Sequence, residues 1–225
     1  GVCDLDGGEV VQRNDDKADV TFINKFVTKG FDFHMAVQSS DAFLGKFNGQ
    51  DYRRRVKDGA ATNSGVFVLD KNTPDIANVF LTNATLGTGG SGDERAFSSF
   101  LDTLDYSGNS DFRRHDAFLA IIIVSDEDDF SATTSTYLNN NYNHANLIPV
   151  QNYVDFLNSY TLGPQDYSVN SIQILDTACL NTLNAESPGR RIGLRYIDLV
   201  DRTGGIKSSL CANFDDTLSQ ISDSI

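Results

Sequence analysis

Residues 117–131, Ala-Phe-Leu-Ala-Ile-Ile-Ile-Val-Ser-Asp-Glu-Asp-Asp-Phe-Ser, carry an apolar run straight into four consecutive acids, Asp126, Glu127, Asp128 and Asp129. The run is far shorter than the ~20 residues of a membrane-spanning helix, and it is rich in β-branched side chains. It reads as a strand buried on both faces of a sheet. The acids then sit where its carboxyl end surfaces. In open α/β sheets that edge is where ligands bind, and hard carboxylate oxygens gathered there suit Mg²⁺ or Ca²⁺.

Working outward, strand-like and helix-like patterns alternate from Phe31 onward. Phe31, Phe33, Met35 and Val37 recur with period two, and Val66-Phe-Val-Leu69 reads as a second short strand. Thr73-Pro74 predicts an N-cap with proline at the first helical position. A further helix is predicted after the glycine-rich turn 87–92. Beyond the acids comes a polar loop over 131–147, then a predicted helix over 149–160 and a strand over 167–175. A helix from Ser187-Pro188 is expected to end at Gly204-Gly205. A strand over 206–211 and a helix over 213–225 complete the chain. Alternating β and α units imply a doubly wound α/β fold, a mostly parallel sheet with helices on both faces. No linker or repeat breaks it, so residues 1–225 are expected to form one domain.

The 225 residues include 18 Lys or Arg against 31 Asp or Glu, a net charge of −13. Such a balance argues against nucleic acid or an anionic membrane surface as the main partner and favours cations. The one basic run, Arg53-Arg54-Arg55, reads as a solvated edge. No stretch suits membrane insertion, and no signal peptide is evident, although a mature chain could have lost one. Three cysteines, Cys3, Cys179 and Cys211, leave one thiol over if two pair. Cys179 follows one predicted strand and Cys211 ends the next, so these two are placed to meet in a disulfide; unpaired buried thiols are the alternative.

The acid loop after strand 117–125 and the motif Leu86-Gly-Thr-Gly-Gly-Ser-Gly-Asp-Glu-Arg-Ala-Phe97 together resemble the von Willebrand factor type A domain, chiefly its bacterial secreted or envelope members. The ending Thr203-Gly-Gly-Ile…Ser208-Ser-Leu-Cys211 is also similar, and the likeness covers about residues 20–225. It implies a doubly wound sandwich and adhesion through a metal-ion-dependent site. There an Asp-x-Ser-x-Ser run, a Thr from a second loop and an Asp after the fourth strand hold the ion, and a carboxylate of the partner completes it. By motif position Asp126 matches the last of these, and Ser91, or failing that Thr88, matches the Thr. Asp6 falls in register with the first run but lacks its hydroxyls.

The family's first strand, which is central, has no evident counterpart here. Buried neighbours would be left with unpaired backbone groups, which folded chains rarely tolerate. Either residues 1–6 supply a short degenerate strand, or a segment of the native protein is missing or displaced, or another polypeptide inserts a strand. The region 1–15 is expected to be degenerate or displaced.

Other readings compete at several positions. Ser91-Gly-Asp-Glu94 forms a capping box for the helix that follows. Asp93 places a charge in its first turn, and with Glu127 and Asp128 it is a candidate for the partner-binding rim. His34, His115 and His144 lack zinc spacing. No nucleophile elbow, Walker loop or Cys-His pair appears, so an enzyme is not expected. The expected function is a cation-dependent module of a secreted, periplasmic or cell-surface protein. It grips a protein or glycan carboxylate through Mg²⁺, Ca²⁺ or Mn²⁺. The alternative is a metal-independent assembly module whose strand slot another segment fills.

Overall fold

The computed structural model describes residues 15–52, 64–86 and 90–225. Asp6, Thr88, Cys3, the Arg53-Arg54-Arg55 run and the expected first-strand region up to residue 14 lie outside the described residues.

Three parallel strands form the sheet: β1 (Leu119–Ser125), β2 (Tyr167–Gln173) and β3 (Lys207–Ser209), in the order β1-β2-β3. Leu119 lies opposite Tyr167 and Ser125 opposite Gln173, while Ser171 to Gln173 pair with Lys207 to Ser209. Because strand side chains alternate between faces, Ile123, Tyr167 and Val169 fall on one side. There they join Phe97, Val150, Tyr153, Leu157, Tyr196 and Leu199. These residues belong to α4 (Ala96–Asp105), α5 (Val150–Tyr160) and α7 (Leu194–Thr203). Ile122, Val124 and Ile172 fall on the other side with Phe22, Phe26, Phe80, Leu218 and Ile221. Those come from α1 (Asp15–Thr28), α3 (Ile76–Ala84) and α8 (Phe214–Ser224). The protein is thus a mixed α/β fold with an apolar cluster on each face of its sheet.

Apolar clusters lie on both faces of the isoleucine-rich β1, as expected, although only Ile123 and Ser125 along it are fully buried. Among the described residues β1 pairs with β2 alone and is an edge strand. The central strand is β2, buried nearly throughout although it contains Ser168, Asn170, Ser171 and Gln173. Asn170 explains part of that tolerance: its Nδ2 donates to Ser168 Oγ at 3.1 Å and its Oδ1 accepts from Ile206 N at 2.9 Å, which seats the start of β3.

The helix boundaries show where local signals mislead. The run beginning at Ser187-Pro188 is not yet helical, and α7 starts only at Leu194, ending as expected on Gly204 with φ 68°. An unexpected helix, α6 (Thr177–Glu186), precedes it, capped by Asp176, whose Oδ1 accepts from Cys179 N at 2.8 Å. The period-two segments near 31–37 and 66–69 reduce to one antiparallel bridge between Met35 and Leu69. A one-turn α2 (Ala42–Gly45) follows Asp41. Cys179 on α6 and Cys211 after β3 form the disulfide, with Cα atoms 5.7 Å apart. No helix among the described residues is long and apolar enough to cross a membrane.

Candidate functional site

The acids do gather at the carboxyl ends of β1 and β2, but most already have partners. Asp129 is fully buried, and its Oδ2 accepts from Phe97 N at 3.0 Å in the first turn of α4. Its carboxylate also takes Ser131 N at 2.9 Å, Ser131 Oγ at 2.8 Å and the Arg195 guanidinium at 3.3 Å. Ser131 Oγ in turn accepts from Ser98 N at 2.9 Å. The orphan amides of α4 are therefore capped from the acid loop. The expected capping box is not formed, since Ser91 Oγ accepts from Asp93 N at 3.3 Å and α4 begins two residues beyond Glu94.

Asp128 performs the same service for α7. Its two oxygens accept from Arg195 N at 3.0 and 3.2 Å, and Tyr142 OH donates to Oδ2 at 2.8 Å. Burial lifts its carboxyl to about 6 despite these donors. Asp93, also fully buried, accepts from the amides of Leu138, Asn139 and Asn140, the last two at 3.1 Å. Both were expected on a partner-binding rim. They are instead internal anchors, because a buried carboxylate is stable only where donors converge on it.

The remaining groups are less settled. Glu94 accepts hydrogen bonds from Ser125 Oγ and from Tyr196 OH, the latter at 2.9 Å. Burial raises its carboxyl to about 7 against those donors, and Asp126 and Asp41 push the same way. Glu127 is half-buried, and its Oε2 has no hydrogen-bond partner among the described residues. Burial, then Glu94 and Asp126, raise it to about 8 while Arg191 opposes them. Asp126 is partly exposed, and its Oδ2 accepts from Arg190 Nε at 3.1 Å, with Oδ1 outside that pair. Ser91 N donates to Asp41 Oδ2 at 2.9 Å.

Asp41 was missed in the sequence, although Ser39-Ser40-Asp41 directly follows the period-two segment and so falls in a loop where a functional acid is plausible on pattern alone. Tyr137 was missed too; a Cβ on Gly92 would sit 3.4 Å from its hydroxyl and 3.7 Å from Glu127 Oε2. Asp41 and Asp126 thus crowd Glu94, and Glu94 and Asp126 crowd Glu127, while Ser91 meets this group through its amide on Asp41. Among the described residues no three His, Cys, Asp or Glu side chains are arranged to hold a metal ion by themselves. That is compatible with Mg²⁺, which is commonly held by one or two carboxylates with water and ligand oxygens completing the octahedron. Of the histidines, His34 Nδ1 lies 3.1 Å from Phe112 O and His144 Nδ1 accepts from Asn146 N.

No protein-family model matches the chain, no curated protein matches it, and no solved structure matches it.

Proposed function

We propose that the protein is a cation-dependent binding module, a doubly wound sandwich resembling the von Willebrand factor type A domain, acting outside the cytoplasm. The observation that carries this reading is the crowding of Glu94, Asp126 and Glu127 beyond the end of β1, where Glu127 Oε2 has no hydrogen-bond partner among the described residues. Glu94 and Glu127 titrate near 7 and 8 because their anions are poorly accommodated. A divalent cation would remove that penalty, since a nearby positive charge favours the ionised form. Asp126 and Glu127 would hold the ion, with Ser91 and, outside the described residues, Thr88 and Asp6 as further oxygen donors. The ion would supply an open position for a carboxylate of a protein or glycan partner. The Cys179–Cys211 disulfide supports an oxidising compartment such as the periplasm, cell surface or exterior.

Titration calorimetry of the chain with Mg²⁺, Ca²⁺ and Mn²⁺ at pH 8 tests the reading. Uptake that is abolished by Asp126→Ala and weakened by Glu127→Gln supports it. Absence of heat with all three ions rejects it, and circular dichroism of both variants separates lost binding from lost fold.

A further inference from the structure

Just past the end of β2 the chain leaves the sheet at Ile174 and returns at Gly193, whose N donates to Ile174 O at 3.1 Å. Residues 175–192, which contain α6 and the turn Ser187-Pro188-Gly189, are therefore an excursion tied at its base. It can open without unpairing a strand.

Little apolar packing holds it down. Only Cys179 and Leu183 of α6 are buried, and they join Ile174, Leu180, Ile192 and Leu210 in a small cluster apart from the two on the sheet faces. Among the described residues α6 has no extensive contact with another helix or strand. A helix of 10 residues is marginal in water unless packing supports it, and segments with few buried apolar contacts open first. The Cys179–Cys211 disulfide supplies the firm tether. Its fixed end is the sheet, since Leu210 N, beside Cys211, donates to Gln173 O at 2.9 Å.

The excursion also carries two contacts to the end of β1. Arg190 belongs to α6 in all but sequence: its Nη1 donates to Leu183 O and Ser187 O at 2.5 and 2.6 Å, and its N donates to Asn184 Oδ1 at 3.0 Å. From there its Nε reaches Asp126 Oδ2 at 3.1 Å, while Arg191 N donates to Asp126 O at 2.9 Å. If α6 comes loose, both contacts on Asp126 go with it.

We propose that residues 175–192 are a redox-released flap: with the disulfide closed the flap guards Asp126 through Arg190, and with the disulfide open it comes away and frees that carboxylate. Cys211 is exposed and Cys179 buried, so a dithiol reductant attacks at Cys211. Exposed disulfides are the labile ones. A thiolate of the reductant bonds to Cys211 Sγ as the bond between the two cysteines breaks, and Cys179 leaves as a thiolate that takes up a proton. The reductant's second thiolate then displaces Cys211, which is protonated in turn. Two electrons have passed to the protein, which holds two thiols, and the reductant leaves as its own disulfide. This device goes beyond the cation reading, because its release needs no ion; it sets whether Asp126 stands guarded for whatever binds there.

Hydrogen exchange of the whole chain before and after dithiothreitol, read by mass spectrometry, tests the flap. Alkylation with peptide mapping confirms that Cys179 and Cys211 are the thiols released. Residues 177–192, the Arg191 amide included, are expected to exchange about tenfold or more faster after reduction, while β1 and β2 stay protected over the same labelling time. The double variant Cys179→Ser/Cys211→Ser should reproduce that pattern without reductant. Unchanged protection of α6 in the reduced protein overturns the flap. Loss of protection that spreads to β2 overturns it too, making the disulfide a staple of the whole fold, as does a disulfide that resists dithiothreitol until urea unfolds the sheet. An α6 that loosens while the Arg191 amide stays protected overturns the guard on Asp126.

Discussion

Glu94→Gln is the most informative single change. Glu94 carries a folded-state pKa of about 7 against an ordinary 4.5. The folded protein therefore holds its proton more tightly than the unfolded chain does, and stability is fully present below pH 4.5 and is lost as pH rises through 7. At about 1.4 kcal/mol per pKa unit, that loss reaches about 3 kcal/mol. Glutamine keeps an acceptor for Ser125 Oγ and Tyr196 OH but never ionises. In EDTA the variant should match the parent at pH 5 and exceed it at pH 8 by up to about 3 kcal/mol, or roughly 6–12 °C in Tm for a chain of this size. Urea unfolding at both pH values, followed by far-UV circular dichroism, measures it. Glu127 acts in the same sense, more weakly because solvent screens it. A variant destabilised equally at pH 5 and pH 8, or a parent that gains stability over that interval, would refute the assignment of a strained buried carboxyl.

Four further outcomes are expected. Cation affinity should fall as pH drops through 8, with a proton released on binding, because Glu127 must ionise to hold the ion; calorimetry in buffers of different ionisation enthalpy counts that proton. Asp129→Ala should cost about 3–5 kcal/mol in urea unfolding, since it strips a buried partner from Arg195 and the cap from α4. Replacing Cys179 and Cys211 by serine opens a loop with a sequence separation of 32, which chain entropy values at about 3–4 kcal/mol; an unchanged urea midpoint would contradict it. Gly205→Ala should destabilise more than Gly204→Ala. A Cβ at 205 lies 1.9 Å from Val169 O, whereas at 204 there is open space and only the φ of 68° is strained; thermal melts rank the two.

Local pattern determined a good deal. The β-branched run at 119–125, the strand at 167–173, α5, α8 and the glycine that ends α7 were legible because each rests on short-range sterics and periodicity. So was the gathering of acids at one sheet edge, which follows from strand direction alone. Cys179 and Cys211 could be matched because each sits close behind a predicted strand. Only the tertiary structure decided what the acids do. Asp128, Asp129 and Asp93 look alike in sequence to Glu127, yet three are enclosed by amides brought from 30 or more residues away, and the fourth keeps an oxygen without a partner among the described residues. The same reason governs β1: hydrophobicity tells that a strand must be covered, but which neighbour covers it is a long-range choice, and here its outer edge borders a groove.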